Sequence, residues 1–178
     1  MIARTFANSW RQGMRAETLF SDLAKARGWS VQHASAQQDM HQHWDFEIAR
    51  EEVRLRVDVK AMKRQARGDA RVQDTWTWLE LRGVNVGNSG WLYGGQSDLI
   101  AFQTCTDFLL VRRLALIDLV EKLVDPELPR VQYAREAHYR VYSRAGRHDL
   151  ITMVETERVR EISEEVWEYE GARTSEER

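Results

Sequence analysis

At 178 residues, with 43% hydrophobic and 30% charged residues, the chain has globular proportions that exclude both wholesale disorder and a fibrous repeat. Its net charge of −2 hides an asymmetry: from Glu155 onward nine acidic residues stand against four arginines, which leaves the preceding residues mildly basic. No apolar run approaches the roughly 20 residues of a membrane span and no signal-peptide core opens the chain, so a cytoplasmic protein with no membrane partner is expected.

The length favours one domain, taken as residues 1–170, with 171–178 as a flexible acidic tail. Within it, "GMRAETLFSDLAKARG" (13–28) places Ala16, Phe20, Leu23 and Ala24 at helical spacing and stops at Gly28, which predicts a helix with one buried stripe. "WSVQHAS" reads as a short strand and "AQQDMHQH" as a polar loop. In "WDFEIAREEVRLRVDVK" (44–60), Trp44, Phe46 and Ile48 alternate with acids, and Leu55, Val57 and Val59 alternate with charged residues, the period of two half-buried strands. Residues 61–74 are basic and polar, a loop or short helix. "TWTWLELR" is a further strand and "GVNVGNSGWLYGG" a Gly/Asn-rich connection.

"DLIAFQT" and "DFLLVRR" follow as two strands, then "LALIDLVEKLV" as a helix ended by Asp125 and Pro126. "AHYRVYSR" and "DLITMV" suggest another strand pair, and Glu155 to Trp167 a final helix through Val159, Ile162 and Val166. A helix, a block of strands and further helices imply an α/β or α+β fold, a mixed sheet flanked by helices. The single cysteine, Cys105, excludes an intrachain disulfide and a cysteine-rich zinc site, and reads as a small buried strand residue.

The pair at 44–60 poses the functional question. Centring its turn on Glu51 and Glu52 sets Phe46 opposite Val57, Ile48 opposite Leu55, and Asp45 opposite Asp58, with Lys60 on the same face as the two acids. Like charges directly opposite are destabilising. A divalent cation between them removes the repulsion, and Mg²⁺ commonly uses one or two carboxylates plus water and substrate phosphate oxygens. Lys60 would then orient an attacking water and offset charge growing on the phosphoryl group. The chain has only four lysines beside 22 arginines, and Lys60 alone has an acid two positions before it, so its place on this face is less casual.

This Asp, Asp-x-Lys arrangement on adjacent strands resembles the PD-(D/E)XK nuclease superfamily, which includes restriction endonucleases and Holliday-junction resolvases. The resemblance covers about residues 13–112 in element order. It implies a restriction endonuclease-like core, Mg²⁺ (or Mn²⁺) as cofactor and DNA as substrate. Asp45 becomes the first acidic ligand, Asp58 and Lys60 the (D/E)xK element, and Glu17, on the preceding helix, a third ligand or water-orienting group. Several phage-type members carry a later acidic strand, a Ser-Gly turn and a further strand, and "WLELRGVNVGNSGWLYGGQSDLI" looks similar, which makes Glu80 a secondary candidate. Trp44 stands where the pattern's nominal Pro would be. The basic residues Lys63, Arg64, Arg67 and Arg71, just after Lys60, would contact DNA phosphates.

Each signal has a plainer reading. The acids on the 44–60 pair could form a solvated strand face screened by Arg54 and Arg56, Glu17 could be a solvated helix flank, and Glu80 could pair with Arg82. His41, His43 and Asp45 alternate as zinc ligands do, but no Cys or further His lies nearby. The aromatic segment 90–95 reads as core packing or a turn before it reads as a base-stacking tip. The rival to a nuclease is a non-cleaving nucleic-acid-binding or assembly protein that keeps the fold. The absence of a separate specificity domain makes a homodimer or a partner protein plausible for duplex cleavage.

Overall fold

The computed structural model describes residues 2–66, 68–84, 87 and 89–169, residues 2–9 by backbone alone. The expected tail at 171–178 and Arg67 lie outside the described residues. The elements run α1 (Ile2–Ala26), β1 (Ser30–His33), α2 (Ala36–Gln42), β2 (Phe46–Arg50), β3 (Val53–Lys60), β4 (Trp76–Arg82), α3 (Gly90–Gly94), β5 (Leu99–Gln103), β6 (Asp107–Arg112), α4 (Arg113–Leu123), a 3₁₀ turn (Ala134–Glu136), β7 (Leu150–Glu155), α5 (Thr156–Glu161) and β8 (Glu165–Glu168).

Six strands form one mixed sheet in the order β1-β2-β3-β5-β6-β8, and β4 pairs with β7 in a separate two-stranded sheet. All neighbours in the large sheet are antiparallel except β3 and β5. This is the mixed α/β architecture that the order of elements implies, helices flanking a sheet.

The period-two patterns sort the residues of the large sheet between two layers. Phe46, Ile48, Val57, Leu99, Ala101, Phe108 and Leu110 face α1, whose Ala16, Phe20, Leu23 and Ala24 supply the predicted stripe. Phe20 is the hub, with ring centroids 5.2–5.8 Å from those of Phe46, Phe108 and Trp167. On the opposite face Ile100, Phe102, Leu109 and Val111 pack with Leu79 of β4, Val154 of β7, Trp91 and Leu92 of α3, and Leu116 and Val120 of α4. β5 and β6 are buried on both sides, which is why their sequences are near-continuous apolar runs. No helix among the described residues is long and apolar enough to cross a membrane.

Several elements differ from the sequence reading, each for a local reason. α1 begins at Ile2, well before the apolar stripe. Residues 36–42 are helical because Ser35 and Gln38 form a reciprocal capping box. The glycine-rich segment includes α3: Gly90 sits at φ 69°, and a Cβ there would fall 2.9 Å from the Glu80 carbonyl, so a residue without one is needed to start this helix against β4. Residues 137–144 make only isolated bridges, such as Tyr142 to Ile151, because β7 takes β4 as its ladder partner. The expected final helix stops at Glu161, and Val166 and Trp167 turn into β8, which closes the edge beside β6. Cys105 is exposed, in the turn between β5 and β6, not buried in a strand.

Candidate functional site

β2 and β3 pair in the register read from the sequence, Phe46 with Val57 and Ile48 with Leu55, around a two-residue turn. Asp45 lies one residue before β2. Its amide donates to the Val57 carbonyl (2.9 Å), and its carboxylate Oδ2 accepts the Val59 amide at 2.6 Å. The side chain is thereby fixed across the end of β3, beside Asp58. Asp58 is almost fully buried, because the parallel neighbour β5 places Ile100 next to it and the second apolar layer covers that face.

Two acids brought together in such a place resist ionisation. Burial, then the Asp58 charge, pushes the Asp45 carboxyl up to about 7, against the smaller opposing pull of the Val59 amide and Lys60. The Asp58 carboxyl is also raised by burial, and the Lys60 ammonium is the main influence that lowers it. Lys60 Nζ stands 2.6 Å from Asp58 Oδ1 and 4.7 Å from the centroid of the Trp91 ring. A salt bridge and a cation–π contact therefore hold the ammonium from two sides.

The other oxygen of Asp58, Oδ2, is buried without a donor. A proton shared with the Asp45 carboxyl would satisfy it, as would a water or a cation, since two ionised carboxylates offer no hydrogen between them. The donor set suits a small hard ion that takes one or two carboxylates and fills its remaining positions with water and substrate oxygens. Among the described residues no group of three or more His, Cys, Asp or Glu side chains is placed to hold a metal ion. The arrangement is thus a carboxylate pair with neighbours, not a closed cage.

The remaining sequence candidates relate to this pair to different degrees. Glu17, half-buried on α1, has its carboxyl raised by burial and next by Asp45, so the two acids sense each other. The charge of Glu80, on β4, acts on Lys63 and on His43. Lys63 keeps exposed surface as a residue, yet burial around its ammonium, followed by the Lys60 charge, lowers its pKa, and its charge reaches Asp58. Arg64 Nη1 donates to the Asp69 carbonyl (3.3 Å), and Arg71 is exposed.

Two residues at the rim were not assigned a site role from the sequence. His43 caps α2 in a left-handed conformation (φ 55°), and burial followed by the Lys60 charge lowers its pKa. Its position two residues before Asp45 was the available signal, spent on the zinc alternative. Trp91 is buried as core packing implied, yet its ring face is also the support of Lys60. Nothing in the spacing of 60 and 91 announces that contact.

Comparison of the chain with protein-family models, with curated proteins and with solved structures gives no match.

Proposed function

We propose that the chain is a Mg²⁺-dependent nuclease that hydrolyses phosphodiester bonds in DNA, with Mn²⁺ able to replace Mg²⁺. The observation that carries this reading is the buried Asp58 carboxylate, one oxygen tied to Lys60 and the other left without a donor beside Asp45. Further support comes from the order of elements over residues 13–112. A helix precedes an antiparallel β1-β2-β3 set, and β5 then joins β3 in parallel, an order compatible with the resemblance to the PD-(D/E)XK superfamily.

On this reading Asp45 and Asp58 hold the ion, with Glu17 beside them to orient water or bind a second ion. When bound, the ion would polarise a phosphoryl oxygen and lower the pKa of a bound water. The protein's own contribution is positional. Asp58 and Trp91 fix Lys60 so that its ammonium meets the charge that grows on the phosphate without reorganising first. The charge of Glu80 acts on His43 and Lys63, and Lys63, Arg64 and Arg71 are the cations nearest in sequence for the flanking phosphates.

The test is cleavage of linear, supercoiled, single-stranded and branched DNA by the purified protein with Mg²⁺ or Mn²⁺. Cutting is expected, with a loss of at least about 10³-fold in Lys60→Ala and in Asp58→Ala while DNA affinity survives. Binding without cleavage of any substrate would replace this reading with a non-cleaving nucleic-acid-binding protein. No affinity even at low salt would defeat both.

A further inference from the structure

A second feature lies outside the carboxylate pair. Residues 2–16 of α1 carry Arg4, Arg11 and Arg15 and no acidic residue. Arg11 and Arg15 are four apart, hence neighbours on the helix surface, and neither has an acid three or four positions away to offset it. Like charges at this spacing weaken a helix, so local helix stability does not explain the pair. The loop after β3 nevertheless brings a third guanidinium to it. Arg11, Gln12 and Arg15 on one wall and Arg64, Ala70 and Val72 on the other enclose an open cleft of about 280 Å³.

Among the described residues no carboxylate lines that cleft, and none of the three arginines forms an ion pair. Three arginines that line one open cleft, with no acid among its described lining residues, favour an anionic occupant, although Arg64 also donates to the Asp69 carbonyl. Guanidinium groups match phosphate in particular, through planar paired donors. Both walls belong to segments that also carry site residues: Arg15 is two positions before Glu17, and Arg64 is four positions after Lys60. The cleft offers far more room than a single phosphate group fills. Exposed Trp10 lies on the same helix, one residue before Arg11, at 68% accessibility, where a base could stack.

We propose that this cleft holds backbone phosphates of the nucleic-acid strand next to the bond that is cut, so that Arg11 and Arg15 of α1 act with Arg64 as a substrate track. The inference rests on the nuclease reading for its substrate, but its test does not require cleavage.

Binding of a fluorescein-labelled DNA oligonucleotide is measured by anisotropy in EDTA, across a salt series, for wild type, Arg11→Gln/Arg15→Gln, Arg64→Gln and a control with equal charge change, Arg130→Gln/Arg135→Gln. The control residues are exposed and lie outside the cleft lining. The expected result is affinity lower by about tenfold or more at low salt in the α1 double variant. Its slope of log affinity against log salt should be shallower by about 1–2. Arg64→Gln should follow in the same direction and the control should hardly move. An α1 double variant that matches the control would overturn the track while leaving the nuclease reading intact. Inorganic pyrophosphate displacing the DNA as well as unlabelled oligonucleotide at equal phosphate concentration would also overturn it, as a small-anion site. Wild type that binds no DNA would defeat both readings.

Discussion

Two buried aspartates in neighbouring parts of one sheet are treated in opposite ways. Asp107, at the start of β6, has both oxygens satisfied: Thr104 Oγ1 and Arg160 Nη2 donate to Oδ1, Thr106 Oγ1 and Arg160 Nη1 to Oδ2, at 2.7–3.2 Å. Asp149, fully buried, is likewise paired with Arg144. Asp58 has one oxygen on Lys60, while the other has no donor among the described residues apart from the neighbouring Asp45 carboxyl. A buried polar group without a partner costs about 1–3 kcal/mol, more when charged. Asp107 and Asp149 are completed by their own neighbours, whereas the crowding of Asp58 and Asp45 carries a cost that the proposed cation site would relieve.

The contrast can be broken most forcefully through Asp107. Asp107→Ala strands Arg160 and two hydroxyls, and should cost about 2–4 kcal/mol in chemical denaturation, below the 3–5 of a fully buried pair because Arg160 is about a third exposed. Asp58→Asn should stay within about 1 kcal/mol of wild type, since its amide can donate to Asp45. Equal losses would make Asp58 an ordinary structural acid.

A smaller effect follows from the ion. Mg²⁺ at 100 times its dissociation constant should stabilise the protein by about 2.7 kcal/mol, read as a shift in thermal midpoint. Asp107→Asn should keep that shift, and Asp45→Asn or Asp58→Asn should lose it.

The smallest concerns pH without metal. The folded Asp45 carboxyl titrates near 7, while the unfolded chain releases that proton near 4, so between those values the native state binds the extra proton. Stability therefore declines as pH rises through that range and levels off above it. From pH 5 to 6.5 wild type should lose about 2 kcal/mol more than Asp45→Asn, at about 1.4 kcal/mol per unit. The raised carboxyls of Asp58 and Glu17 act in the same direction. A difference of the opposite sign, measured by urea titration at each pH, would contradict the crowding of the two acids.

The hairpin was legible in the sequence because its determinants are local. Alternation fixes which residues face the core, and a two-residue turn leaves one register compatible with it, so the pairing of Phe46 with Val57 follows from counting. The stripe of α1 was legible for the same reason. α2 was misread because a capping box outweighed its polar composition. β8 was misread because Val159, Ile162 and Val166 fit a helical period, although the last of them serves a strand. The pairing of β7 with β4 joins residues some 70 apart, and no local pattern distinguishes it from a hairpin with 137–144.

The sequence by itself determined the alternating faces, the turn and thus the approach of Asp45 to Asp58, since each depends on backbone periodicity over a few residues. Only the tertiary structure decided that Asp58 is buried, that Trp91 supports Lys60, and that Arg64 reaches Arg11 and Arg15. Those outcomes depend on which surfaces pack together over long stretches of chain, and that packing is what sets the desolvation, the raised carboxyl and the charge density on which the proposed chemistry depends.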